Sequence, residues 1–231
     1  MTCSGQQSFS EVIEFYKSDE NKRLLTKFLD QVEIFFRTNS TLKKEKVIHT
    51  IKSRMKDPEH LRDKLQRKQA KGTVVTKDTL FKEVTDLNGI RILHLYQQQF
   101  PVIHKEIMDK VVKQEDWQLV ESPKAYTWEP ESQKFFEDLG IKTEVKDSSY
   151  TSVHYVVKPN NAQSSVTCEI QVRTLFEEIW GEIDHAINYP HQTESIACRE
   201  QIRVLAKLVS TGTRLADSIF RTYDEHMRNN K

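Results

Sequence analysis

Residues 166–174 read Val-Thr-Cys-Glu-Ile-Gln-Val-Arg-Thr. In an extended chain, side chains alternate between faces, so Glu169, Gln171 and Arg173 share one face and Ile170 and Val172 the other. The second face belongs in a core. The first, a row of carboxylate, amide and guanidinium, needs either solvent or a ligand. The run before it, Tyr150–Lys158, alternates likewise, with Tyr150, Ser152 and His154 on one side and Val153 opposite. A polar segment, Pro-Asn-Asn-Ala-Gln-Ser-Ser (159–165), joins the two runs and predicts a hairpin. Pairing would gather an aromatic ring, a hydroxyl, an imidazole and a carboxylate on one surface.

Outward from this hairpin, Gly89–Tyr96 reads as a strand and residues 46–55 as another, rich in alternating β-branched residues. Residues 117–126 read as one extended segment. Asp57-Pro58 opens a helix that runs to about Gln69, and Gly72 ends it. Short helices are expected at 78–85 and 131–138, and an amphipathic one over 100–113. Val12, Phe15, Leu25, Phe28, Leu29, Val32 and Phe35 recur at helical spacing across 8–38, with a start at Ser10 and a polar break at Ser18–Asn21. Residues 174–188 are helical, and 194–228 form a long helical tail with a break near Thr211–Thr213. Strands interleaved with helices give an α/β or α+β core.

Composition narrows the class. With 35 Lys and Arg against 34 Asp and Glu, the net charge of +1 singles out neither nucleic acid nor membrane as a partner. Aromatic residues at 9% exclude a disordered chain. Cys3, Cys168 and Cys198 have no metal-ligand spacing and form no disulfide framework, which suits a reducing compartment. No secretory signal and no membrane-length apolar stretch is present, so a cytoplasmic protein is expected. Basic residues do crowd 43–71. Within that stretch Arg54, Lys56 and Lys64 pass from a strand end into a helix start, where they can converge on polyphosphate. Asp86 precedes strand 89–96, next to Gly89. A carboxylate at the mouth of a strand suits a metal, and Asp86 with Glu169 could supply the one or two carboxylates that Mg²⁺ takes besides substrate phosphates. Taken singly, each of these residues has a plainer reading as a cap, a solvated face or core packing.

Taken together they resemble the RelA/SpoT-type (p)ppGpp synthetases, particularly the small single-domain alarmone synthetases. Arg54-Met-Lys56 with Lys64 is similar to that family's ATP motif, and Asp86-Leu-Asn-Gly89-Ile-Arg91 to its metal-binding aspartate motif. Tyr150-Thr-Ser152-Val-His154 resembles the guanine-site loop. Glu169-Ile-Gln171-Val-Arg173-Thr174, with Trp180-Gly-Glu182-Ile-Asp184-His185 and Tyr189 after it, resembles the catalytic glutamate strand and its helix.

The resemblance implies a nucleotidyltransferase-like mixed β-sheet flanked by helices, in a catalytic domain over 46–190 with helical extensions at 1–45 and 191–231. It implies transfer of the β,γ-pyrophosphate of ATP to the ribose 3′-hydroxyl of GDP or GTP. Arg54 and Arg91 would sandwich adenine, and Lys56 and Lys64 would hold the ATP phosphates. Asp86 and Glu169 would bind Mg²⁺, with Glu169 also acting as base. Tyr150 would stack on guanine and His154 meet the acceptor's phosphates, in a surface completed by Ser152 and Gln171. No hydrolase block fits before residue 46, so synthesis alone is expected.

Two positions depart from the family pattern. His60 stands where the family has Ser, and Ser148-Ser149 where it has Asn-Gly. The second lies in the acceptor loop and keeps open a toxin-type enzyme acting on tRNA 3′ ends or adenine nucleotides; a further alternative, an inactive nucleotide- or RNA-binding module, is opposed by the presence of both Asp86 and Glu169. The basic stretch 43–71 could serve RNA as well as ATP. Glu178, Glu182 and His185 share a helical face, where a structural role or a link to the site is favoured over a metal triad. Ile202, Leu205, Leu208, Leu215 and Ile219 could pack inward or between subunits, and the resemblance favours a homo-oligomer.

Overall fold

The computed structural model describes residues 3–146, 148–161, 165–189 and 191–230, with side chains from Phe9 onward. Two helices lead in, α1 (Cys3–Lys17) and α2 (Asp19–Thr38). The polar break is a cap: the Ser18 hydroxyl accepts the Asn21 N–H, and Asp19 and Glu20 sit in the first turn of α2, where the helix dipole favours them. α1 starts at Cys3, upstream of the expected Ser10. After a one-turn α3 (Ser40–Lys44), strand β1 spans Thr50–Met55. It begins four residues later than the alternation suggested, because Lys46 adopts φ 51°, which a strand does not accommodate. Helix α4 (Pro58–Ala70) opens as expected, with the Asp57 carboxylate accepting the Glu59 and His60 N–H groups, and Gly72 follows it at φ 86°.

Then come α5 (Leu80–Glu83), β2 (Asn88–His94) and α6 (Phe100–Val112). The single extended segment expected over 117–126 is two strands, β3 (Trp117–Leu119) and β4 (Lys124–Tyr126). Both lie on one edge of β6, and between them Pro123 has no N–H to give to the ladder. Helix α7 (Pro130–Asp138) is followed by β5 (Lys142–Glu144), which the alternation did not predict. Strands β6 (Ser152–Pro159) and β7 (Cys168–Thr174) pair antiparallel, as the hairpin reading required. Ala162–Ser164 of the connecting turn lie outside the described residues. Helices α8 (Leu175–Asn188) and α9 (Ile196–Asn229) complete the chain.

Among the described residues seven strands form one mixed sheet, in the order β1-β2-β7-β6-β4-β5 with β3 also on β6. β2 and β7 run parallel at its centre, with Gly89 opposite Glu169 and Arg91 opposite Gln171. Ile90, Ile92, Val153, Tyr155, Ile170 and Val172 are each at most 1% exposed and form one face of the sheet. They join Val12, Leu25, Val32 and Ile103 in the main core, so α1, α2 and α6 share that core with the sheet. Burial of each such aliphatic side chain stabilises the fold by ~1.5–3 kcal/mol. The other face carries the polar alternates, and α8 packs over it.

Helix α9 is unbroken, contrary to the expected break at Thr211–Thr213. A Cβ on Gly212 would lie 2.8 Å from the Phe176 ring, so the glycine lets α9 approach α8 closely while Thr213 is buried beside Thr174. Of the terminal apolar positions, Ile202 is buried, whereas Leu208, Leu215 and Ile219 are exposed. No helix among the described residues is long and apolar enough to cross a membrane.

One buried group makes the fold pH-sensitive. His94 is 3% exposed, its Nδ1 lies 2.9 Å from the Tyr96 carbonyl, and burial brings its pKa from 6.5 down to about 4. Between those values the unfolded chain takes up a proton that the folded chain refuses. The contribution is therefore complete above pH 6.5 and is lost as pH falls through about 4, and it amounts to about 3 kcal/mol. Denaturant unfolding across this window should show the decline, and His94→Asn should flatten it.

Candidate active site

The C-terminal end of β1 and the starts of β2 and β7 meet at one end of the sheet, and each is anchored by a buried contact. The Tyr16 hydroxyl donates to the Lys56 carbonyl at 2.5 Å, bracing the turn from β1 into α4. Asn88, at the start of β2, donates to the Leu25 carbonyl at 2.8 Å. Thr167, just before β7, donates to the Thr85 carbonyl at 2.8 Å, beside Asp86. Polar groups buried this way are expensive to leave unpaired, so the three bonds fix where Lys56, Asp86 and Glu169 begin.

Asp86 lies between two ammonium groups. Lys56 Nζ is 2.9 Å from Oδ2, and Lys64 Nζ, reaching across from α4, is 2.7 Å from Oδ1. Burial by itself would raise the Asp86 pKa, but Lys64 and Lys56 outweigh it and bring it down to about 2. Lys56 is 8% exposed, and burial holds its pKa below the usual lysine range despite Asp86. Arg54, exposed on β1, lies across Gly89 with Cγ and Nε 3.7 Å from where a Cβ would stand, so the space beside Gly89 is covered by this side chain.

On β7, Glu169 receives His154 Nδ1 at 3.1 Å on Oε1 and Gln171 Nε2 at 2.7 Å on Oε2. Burial and the Asp86 charge push its pKa up, yet the bonds from His154 and Gln171 prevail and hold it below the usual carboxylate value. It is thus ionised at neutral pH. In a neutral His154, an Nδ1–H that donates to Glu169 leaves Nε2 to accept from the Tyr150 hydroxyl at 2.8 Å. Tyr150, His154 and Glu169 form one hydrogen-bonded chain. Ser152 is 1% exposed, with its hydroxyl 3.5 Å from the Val172 carbonyl and also hydrogen-bonded to Tyr150, on the same face of β6 as His154.

Arg91 reaches from β2 to Glu178 Oε1 at 3.1 Å and also contacts Glu182. Arg91, Tyr150 and Gln171 line an open cavity of about 250 Å³ together with His185 and Tyr189. The face shared by Glu178, Glu182 and His185 is divided in use. The two glutamates take cations, whereas His185 stacks on Tyr189 at 4.5 Å, and Tyr189 in turn meets His60 edge-on at 4.9 Å and Asp63 at 3.3 Å. The basic stretch is also divided: Lys56 and Lys64 meet Asp86, Lys52 meets Glu178, and Lys68 meets Glu83.

Two neighbours of the site escaped the sequence reading. Lys146 Nζ lies 3.8 Å over the Tyr126 ring and 4.5 Å over the Tyr150 ring, and burial depresses its pKa. The Tyr126 ring stands 4.9 Å from His154. A lysine four positions before Tyr150 was the available signal, but no periodicity marks it.

A mixed sheet flanked by helices, with a lysine-clamped carboxylate in the turn before β2 and a histidine-paired carboxylate on the parallel neighbour β7, is a nucleotidyltransferase-like fold. The family described as the region found in RelA / SpoT proteins matches residues 53–194, and the chain belongs to that family. Solved structures share the fold over nearly their whole length. The protein smu.1046c from Streptococcus mutans UA159 is 18% identical, with a TM-score of 0.65 over 93% of this chain and 98% of that one. A GTP pyrophosphokinase family protein from Streptococcus pneumoniae is 19% identical, with a TM-score of 0.63 over 98% and 97%. The small alarmone synthetase 1 from Bacillus subtilis is 20% identical, with a TM-score of 0.63 over 91% and 100%, and has also been solved bound to its product pppGpp and to AMPCPP. No curated protein matches the sequence significantly.

Proposed function

We propose that this chain transfers the β,γ-pyrophosphate of ATP to the ribose 3′-hydroxyl of GDP or GTP, making (p)ppGpp. The observation that carries this reading is a pair of carboxylates, Asp86 in the turn that leads into β2, between Lys56 and Lys64, and Glu169 on the neighbouring parallel strand β7, ionised and hydrogen-bonded to His154. The B. subtilis relative that binds pppGpp and AMPCPP supports it by shared fold.

The donor set fits a hard divalent cation. Asp86 and Glu169 offer carboxylate oxygens and are close enough for the Asp86 charge to act on Glu169. Among the described residues no group of three or more His, Cys, Asp or Glu is gathered for a metal, so further positions would fall to phosphates and water. Mg²⁺ bound there would neutralise phosphate charge as it develops. Lys56 and Lys64 would hold the ATP phosphates, and Arg54 and Arg91 would flank the adenine. Glu169 takes the proton of the 3′-hydroxyl, whose oxygen forms a bond to Pβ. The bond between Pβ and the α,β-bridging oxygen breaks, and AMP leaves with that oxygen and its electron pair. Tyr150 would stack on guanine, and His154 would turn from the Tyr150 hydroxyl to an acceptor phosphate. A reaction on these nucleotides would suit the cytoplasm, and the exposed Leu208, Leu215 and Ile219 would offer a face for another copy.

Lys146 over the Tyr150 ring bears on the acceptor: a stacked base must displace this ammonium or use the other face. The acceptor is read by incubating the protein with Mg²⁺, labelled ATP and, separately, GDP, GTP, ADP or tRNA. Label on guanine nucleotides alone is expected. Label on tRNA or ADP instead would support the toxin-type alternative. Binding of ATP without transfer to any acceptor would leave an inactive nucleotide-binding module.

A further inference from the structure

Glu178, in the first turn of α8, is 4% exposed and touches three cations from three strands. Its Oε1 lies 2.9 Å from Lys52 Nζ and 3.1 Å from Arg91 Nη1, and its Oε2 contacts Arg173 Nη2. Burial pushes the Glu178 pKa up, but Arg173, Lys52 and Arg91 outweigh it, so the carboxylate stays charged. α8 is a firm support for it, because Thr174 and Glu177 close a capping box at the helix start.

The two arginines lead in different directions. Arg91 lines the cavity that also holds Tyr150 and Gln171. Arg173 is 4% exposed and lies 5.9 Å from the centre of the Tyr150 ring. It occupies space left by Gly181, where a Cβ would stand 2.8 Å from Arg173 Nη1. We propose that Glu178 is a positioning residue that holds the donor and acceptor halves of the site in register, fixing Arg91 directly and Tyr150 through Arg173. This inference rests on the proposed function for the roles of Arg91 and Tyr150. Without Glu178, three like charges face one another, and Arg91 keeps only Glu182, whose side chain is 54% exposed. Arg91 then leaves the cavity, and Arg173 loses its seat.

The test compares wild type, Glu178→Gln and Gly181→Ala by calorimetric titration with AMPCPP and with GDP, alongside steady-state KM and kcat. Glu178→Gln should weaken both nucleotides by about tenfold or more, the size of one lost charge-assisted hydrogen bond, with KM values rising in step. Gly181→Ala removes no charge and places its methyl against Arg173 but not Arg91, so it should weaken GDP and leave AMPCPP within about twofold. Glu178→Gln with both affinities unchanged, or with only kcat reduced, overturns the proposal. So does Gly181→Ala weakening both nucleotides equally or neither. If Glu178→Gln does not fold, Gly181→Ala decides alone. A wild type that binds both nucleotides yet transfers nothing defeats the proposed reaction while these affinities still judge Glu178.

Discussion

Glu169→Gln is expected to remove pyrophosphate transfer while ATP continues to bind. Glutamine has the shape of glutamate but cannot take the 3′-hydroxyl proton, and loss of a general base typically costs about 10²–10⁴-fold in kcat. Loss of a metal ligand in the same substitution adds to that. The fold should tolerate the change, because the side chain is partly accessible and its neighbours His154 and Gln171 can reorient to pair with an amide. Rapid-quench measurement of transfer, paired with AMPCPP titration, separates the two effects. A variant with kcat within about tenfold of wild type would remove Glu169 from the role of base.

Asp86→Asn is expected to do more. Transfer should again fall by about 10³-fold or further, since the carboxylate that answers the metal and both lysines is gone. Stability should fall as well, which distinguishes this variant from Glu169→Gln. Lys56 is 8% exposed and its ammonium would lose its partner. Breaking a buried pair from one side costs about 3–5 kcal/mol, and the partial exposure of Asp86 and Lys64 places the expected loss near the lower end. Denaturant unfolding of the two variants side by side checks this. Equal stability would mean that Lys56 finds water or another anion when Asp86 is neutral.

How far the sequence carried this site can be read from single residues. Alternation alone separated Ile170 and Val172 from Glu169 and Gln171, and the buried and polar faces of β7 follow it. It also placed Tyr150 and His154 with Glu169, which the hydrogen bonds join. The pairing of Asp86 with Lys56 and Lys64 was less legible. The basic spacing pointed to phosphate, and only the antiparallel register of β1 with β2, which sets Met55 opposite Asn88, and the start of α4 beside it put the lysines on the aspartate. Glu178 shows the limit: helical periodicity gave its face, but its three partners lie on β1, β2 and β7, at sequence separations that no local pattern reports. β5 is too short for alternation to distinguish from loop, and Lys146 follows it into the site. Ser152 had the right parity for the ligand face, and its hydroxyl bonds Tyr150 there while being 1% exposed.

The most direct test of pyrophosphate transfer is the identity of the spent donor. The protein is mixed with ATP, GDP and Mg²⁺, and adenine products are separated and counted against the new guanine nucleotide. Pyrophosphate transfer leaves AMP, one for each product molecule carrying both the β and γ phosphates. Release of ADP instead, or AMP without a matching guanine product, would contradict the reaction assigned to Asp86 and Glu169.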